Sequence, residues 1–138
     1  MRIHSEIHKL IKPLNEAGID VRLYRDRNSP NRPITWGTIE RDGNVGSFGY
    51  RTYAPFGLYV SFAIKPNRAT GSGLLILDEH GNEPQSVEGV VEAALKATSD
   101  TYYSPITQTV GRNHGTDHFK WSESSLVKVT GDEDFEIE

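Results

Sequence analysis

The sequence predicts an α+β domain: a largely antiparallel meander sheet of about five strands with two helices packed on one face. Three observations predict it. Apolar residues recur at helical spacing near the N-terminus, they do so again over residues 86–98, and between these stretches hydrophobic character alternates with period two. At 138 residues the chain has material for one core, so residues 1–131 are expected to form a single domain.

The first helix is expected at about residues 2–17, where Ile3, Ile7, Leu10, Ile11 and Leu14 make one apolar stripe. Pro13 removes the hydrogen bond to the Lys9 carbonyl, so the helix is expected to kink or restart there, and Gly18 ends it. Ile19, Val21 and Leu23 then alternate with Asp20, Arg22 and Tyr24, as in a strand with one buried face. The Asn28–Pro33 stretch, with two prolines, is a loop. Strands at 34–41 and 44–52 are joined by Asp42-Gly43, a pair whose tolerance of positive φ suits a type I′ hairpin.

Residues 57–65 place Leu58, Val60, Phe62 and Ile64 on one face and Tyr59, Ser61, Ala63 and Lys65 on the other. A glycine-containing loop follows, and Leu74 to Leu77, apolar on both faces, reads as a central strand. Ser86 is a candidate N-cap for a helix whose stripe is Val87, Val90, Val91, Ala94 and Leu95. Beyond it, Tyr102 to Val110 and Leu126 to Thr130 are candidate short strands, and Gly111 to Asp117 a polar loop. The terminal run 132–138, with Asp132, Glu133, Asp134, Glu136 and Glu138, is expected to be a frayed, solvated acidic tail.

Composition excludes several chemistries. Without cysteine there is no disulfide framework, thiolate nucleophile, zinc ribbon or iron–sulfur site. No apolar run approaches the roughly 18 residues of a membrane span and the N-terminus lacks a signal-peptide core, so a cytoplasmic protein without membrane partners is expected. The stretch Arg68 to Gly73 lies before a strand, whereas a phosphate cradle of the dinucleotide or P-loop type needs a helix after its glycines. There is no G-x-S-x-G elbow and no carboxylate pair set apart for acid–base work, so catalysis has no sequence support and no cofactor is expected. His4 with His8, and His114 with His118, have the spacing of a metal pair on a helix; the order His-Ser-Glu-Ile-His is not that of a zincin. These histidines are expected to be ordinary boundary and loop residues and no metal is expected, since a shared metal would require the chain's two ends to meet.

Charge is the remaining signal. The net charge of −4 divides into +5 over residues 1–68 and −9 over residues 69–138. In the basic half, cations interleave with aromatics, among them Trp36. The residues expected to bind nucleic acid or a nucleoprotein are Arg22, Tyr24, Arg25, Arg27, Arg32, Tyr59, Lys65 and Arg68: rings for stacking bases, cations for phosphates. Strand-forming aromatics and arginine stems covering an ordinary sheet face are the structural account of the same residues. The leading expectation is therefore a non-catalytic binding protein with a basic, aromatic sheet face. The alternative is a protein–protein inhibitor or adaptor, of the kind that phages and mobile elements carry, whose acidic half with Asp78, Glu79, Glu83, Glu88 and Glu92 occupies a basic protein partner.

Overall fold

A computed structural model describes residues 1–51, 57–63, 73–115 and 124–138. Its main sheet has six strands: β2 (Asp20–Tyr24), β3 (Trp36–Arg41), β4 (Asn44–Tyr50), β5 (Leu58–Phe62), β6 (Leu74–Leu75) and β9 (Leu126–Val129). All pairings are antiparallel, in the order β6-β5-β4-β3-β2-β9. The expected five-strand meander is present, and β9 extends it by docking beside β2. Asp42 and Gly43 have φ of 55° and 82°, the doubly positive backbone of the expected hairpin turn. Two helices, α1 (Ser5–Glu16) and α2 (Val87–Ala97), pack on each other and on one face of this sheet, α1 against β2 and β4, α2 against β4 and β5. The core lies between: Ile7, Leu10, Ile11 and Leu14 of α1 and Val90, Ala94 and Ala97 of α2 meet Val21, Leu23, Ile39, Phe48, Val60 and Phe62 of the sheet.

Several elements differ from the sequence reading. The helix begins at Ser5 because Arg2–Ile3 forms a strand, β1, and His4 caps α1, its Nδ1 accepting the Glu6 amide hydrogen at 3.1 Å. Pro13 neither splits nor restarts α1; burial of the stripe on both sides of it holds one continuous helix. Gly18, at φ 81°, ends the turn as expected. Leu74–Leu75 is an edge strand of two residues, not a central one; Ile76 and Leu77 are buried beyond it, where the Leu77 amide donates to the Tyr102 hydroxyl at 3.4 Å. Ser86 caps α2 through the Gly89 amide, but Leu95 is exposed while Ala93 and Ala97 turn inward. The expected strand at 102–110 is a hairpin, β7 (Thr101–Ser104) with β8 (Thr109–Arg112), so Gly111 and Arg112 are strand rather than polar loop. Ile64, Lys65 and Arg68 to Ser72 lie outside the described residues, as do Asp117 and His118.

The acidic C-terminal segment is tied down rather than frayed. Glu136–Ile137 forms β10, parallel to β1, and β1 in turn bridges Ile34 on its other side. Its carboxylates mostly point to solvent, but Phe135 packs edge-on to His8 at 5.5 Å and Arg2 pairs with Glu138. Glu133 anchors the entry to this segment by accepting the amide hydrogens of Thr130 (2.9 Å) and Gly131 (2.8 Å) and the Thr130 hydroxyl. Burial raises the pKa of Glu133, and these donors outweigh it, leaving the carboxyl below its usual value. A depressed folded-state pKa stabilises above the unfolded value, and that stability is lost as pH falls through the folded value. Glu133→Gln is therefore expected to lower stability at neutral pH, by about 1 kcal/mol or less at so exposed a site, and to have little effect near pH 3. Urea denaturation at the two pH values checks it; equal losses at both would contradict the assignment.

Candidate nucleic-acid interface

The strand registers place one row of side chains across the face opposite the helices: Leu126 beside Tyr24, Trp36 beside Gly49, and Gly49 beside Tyr59. Leu23 pairs with Gly37, so Trp36 falls next to Tyr24, and the two rings stack with centroids 4.5 Å apart and planes within 17°. The adjacent row holds Lys128, Arg22, Thr38, Ser47 and Ser61. Arg22, Tyr24 and Tyr59 thus share a face, as alternation implies, but each is half-buried rather than fully exposed. Nor is the face a bare solvated plane, because Thr38 and Val45 on it are 3% and 4% exposed.

Tyr59 stands apart from the Tyr24–Trp36 stack in what it touches. Its ring lies over Gly49, where a Cβ would come within 2.7 Å of it, so only glycine there leaves the ring room. The Arg51 guanidinium sits 4.7 Å from its centroid and also pairs with Glu83.

The basic loop after β2 is built by its own backbone. Asp26 accepts the Asn28 amide hydrogen on its side chain at 2.9 Å, the Ser29 amide donates to the Asp26 carbonyl and the Arg32 amide to that of Ser29. This double turn spreads Arg25, Arg27 and Arg32 outward, and all three are exposed. Among the described residues, the side chains of Arg22, Arg25 and Arg32 have no acidic partner. The Arg27 Nη2 donates to the Ser124 carbonyl at 2.7 Å, a neutral partner, and among the described residues Arg27 has no ion pair with an acid. The loop also bounds two clefts. One, of about 140 Å³, lies between the Tyr24–Trp36 stack, Arg25, Arg32 and Arg2. The other, of about 230 Å³, is lined by Arg25, Arg27, Pro30, Ser124, Ser125 and Val127.

Sequence reading passed over Arg2, Ser124 and Ser125, which come from segments remote in sequence. Trp36 was visible in the aromatic–basic pattern, but not as the stacking partner of Tyr24. Lys65 and Arg68 lie outside the described residues.

The acidic candidates gather elsewhere. Asp78, Glu79, Glu83 and Glu92 rim a groove of about 530 Å³ between the segment after β6 and α2, floored by Ile76, Leu77, Pro84 and Ala93; Glu88 does not line it. The Asn82 amide, chiefly, and that of His80 hold the Asp78 carboxyl below its usual value by hydrogen bonds to its side chain at 2.9 Å. Glu83 is engaged by Arg51.

His4 and His114 do not converge, and His118 lies outside the described residues. His4 stacks on Tyr50, at the last residue of β4, with centroids 4.2 Å apart, whereas the His114 amide donates to Ala63, just past the far end of β5. A seven-residue strand separates those ends by roughly 20 Å. Among the described residues, no three His, Asp or Glu side chains gather as a metal-holding group, and no helix is long and apolar enough to cross a membrane. No family model, curated protein or solved structure matches the chain.

Proposed function

We propose that this protein is a non-catalytic binder of single-stranded nucleic acid, acting at the end of the sheet where β2 leads into β3. The observation that carries the reading is the Tyr24–Trp36 stack set in the same cleft as Arg25 and Arg32, two exposed cations with no acidic partner among the described residues. Aromatic planes reward unstacked bases and are denied to the paired interior of a duplex, while arginines take the phosphates through paired, charge-assisted hydrogen bonds. The acidic groove beside α2 adds orientation: its field repels a polyanion from the remainder of the surface and concentrates it at the basic loop.

Fluorescence anisotropy with labelled single- and double-stranded 12-mers at two salt concentrations tests the proposal. Micromolar binding of the single strand is expected, tighter than that of the duplex, weakening as salt rises and abolished by the double substitution Arg25→Ala and Arg32→Ala. No binding at micromolar protein and low salt would overturn it.

A further inference from the structure

The two clefts beside the basic loop are not independent features. Arg25 and Pro30 line both, so they meet at Arg25. On one side of that arginine are Arg32 and the Tyr24–Trp36 stack; on the other are Arg27 and the Ser124–Ser125 stretch that begins β9's edge of the sheet. The junction is held by one main-chain bond, from the Arg25 amide to the Ser125 carbonyl at 2.9 Å, and by the Arg27 side chain, which donates to the Ser124 carbonyl. Cations in each cleft, with a shared one between them, are what a short run of consecutive phosphates requires. A single isolated anion would need only one of them.

Resting on the single-strand reading, we propose that the clefts form one track with two contiguous subsites. A base and its phosphate occupy the Tyr24–Trp36 side between Arg25 and Arg32, and the next phosphate crosses Arg25 into the cleft bearing Arg27. The ligand class is then a short single-stranded segment of about two or three nucleotides rather than a mononucleotide or a long wrapped strand. Two phosphates neutralised on this track give a slope of log K against log salt of about −1.4, or roughly 7-fold weaker binding at 200 mM than at 50 mM salt.

The experiment is a length series of oligothymidylates from one to eight nucleotides, titrated at several salt concentrations against the native protein, Arg27→Gln and Arg112→Gln. Arg112 is an exposed arginine on the separate β7–β8 hairpin and serves as the control. Unchanged thermal midpoints establish that each variant is folded. For the native protein, affinity should rise steeply to three nucleotides and then only by the statistical number of registers. Arg27→Gln should reduce the salt slope by about 0.7 and shift the plateau to a shorter length, and Arg112→Gln should match the native protein. Binding that continues to strengthen through eight nucleotides, or that is indifferent to Arg27→Gln, overturns the two-subsite track while leaving single-strand binding in place. No binding at any length overturns both.

Discussion

Gly37→Ala is expected to destabilise the protein by about 3 kcal/mol, at the upper end of what overpacking costs, and to damage the candidate interface beyond that loss. The backbone of Gly37 is ordinary strand; the obstacle is space. A Cβ at this position would collide with the carbonyl oxygen of Arg22 and lie 3.1 Å from Cε1 of Phe48. A flexible side chain can move aside, but the Arg22 carbonyl belongs to the β2–β3 ladder, in which Arg22 pairs with Thr38 and Leu23 with Gly37. Relief therefore requires the two strands to separate locally. Because Trp36 precedes Gly37 and stacks on Tyr24 across that pairing, the separation also pulls the aromatic pair apart. Urea denaturation should show the stability loss, and near-ultraviolet circular dichroism under fully folding conditions should show a weakened aromatic signal. A variant within 0.5 kcal/mol of the parent would contradict this account.

The second large effect belongs to Phe48, the residue that fills the room Gly37 leaves. It is completely buried, paired with Gly37 on one side and Val60 on the other. Phe48→Ala is expected to cost about 3–5 kcal/mol from lost transfer energy and the cavity left between sheet and helices. That is a fifth or more of the total for a typical domain, which stands at about 5–15 kcal/mol. Phe48→Leu, which keeps most of the volume, should cost far less. Combining Gly37→Ala with Phe48→Ala relieves the contact with the ring but not the collision with Arg22, so the double variant should recover only a small part of the summed losses. Full recovery would mean that the ring, not the main chain, sets the requirement for glycine.

Which parts of the molecule were legible follows from the range of the interactions involved. Ile19 to Tyr24, Leu58 to Phe62 and the Asp42-Gly43 turn declare themselves within a few residues, because alternation and positive φ are local properties. Ser86 and the valines of α2 do the same. Leu74 to Leu77 misled for a physical reason: the last two residues are buried past the end of a two-residue edge strand, Ile76 bonded to the Val60 carbonyl and Leu77 to the Tyr102 hydroxyl, and apolar content does not distinguish this from a central strand. The strands β1 and β10 have two residues each and pair across nearly the whole chain, so they leave no periodic trace. The candidate interface divides in the same way. That Arg22, Tyr24 and Tyr59 share a face follows from period two, whereas the clefts are completed by Arg2, Ile34, Ser124 and Ser125, which only tertiary structure brings to the basic loop.

The pairing of β1 with β10 also bears on when the candidate interface exists. Arg2 lies against Glu136, Ile3 against Ile137, and Ile34 beside Ile3 lines the cleft below the Tyr24–Trp36 stack. A contact spanning so much chain carries a large closure entropy and is made after the meander has drawn its ends together. The Arg2 and Ile34 side of the cleft is thus expected to be among the last parts of the molecule to assemble and among the first to open in a sub-global fluctuation that spares the six-stranded sheet, to which Tyr24 and Trp36 belong. By thermodynamic reciprocity, whatever fills the cleft must tighten the junction of the two terminal strands, and whatever loosens that junction must weaken what the cleft holds.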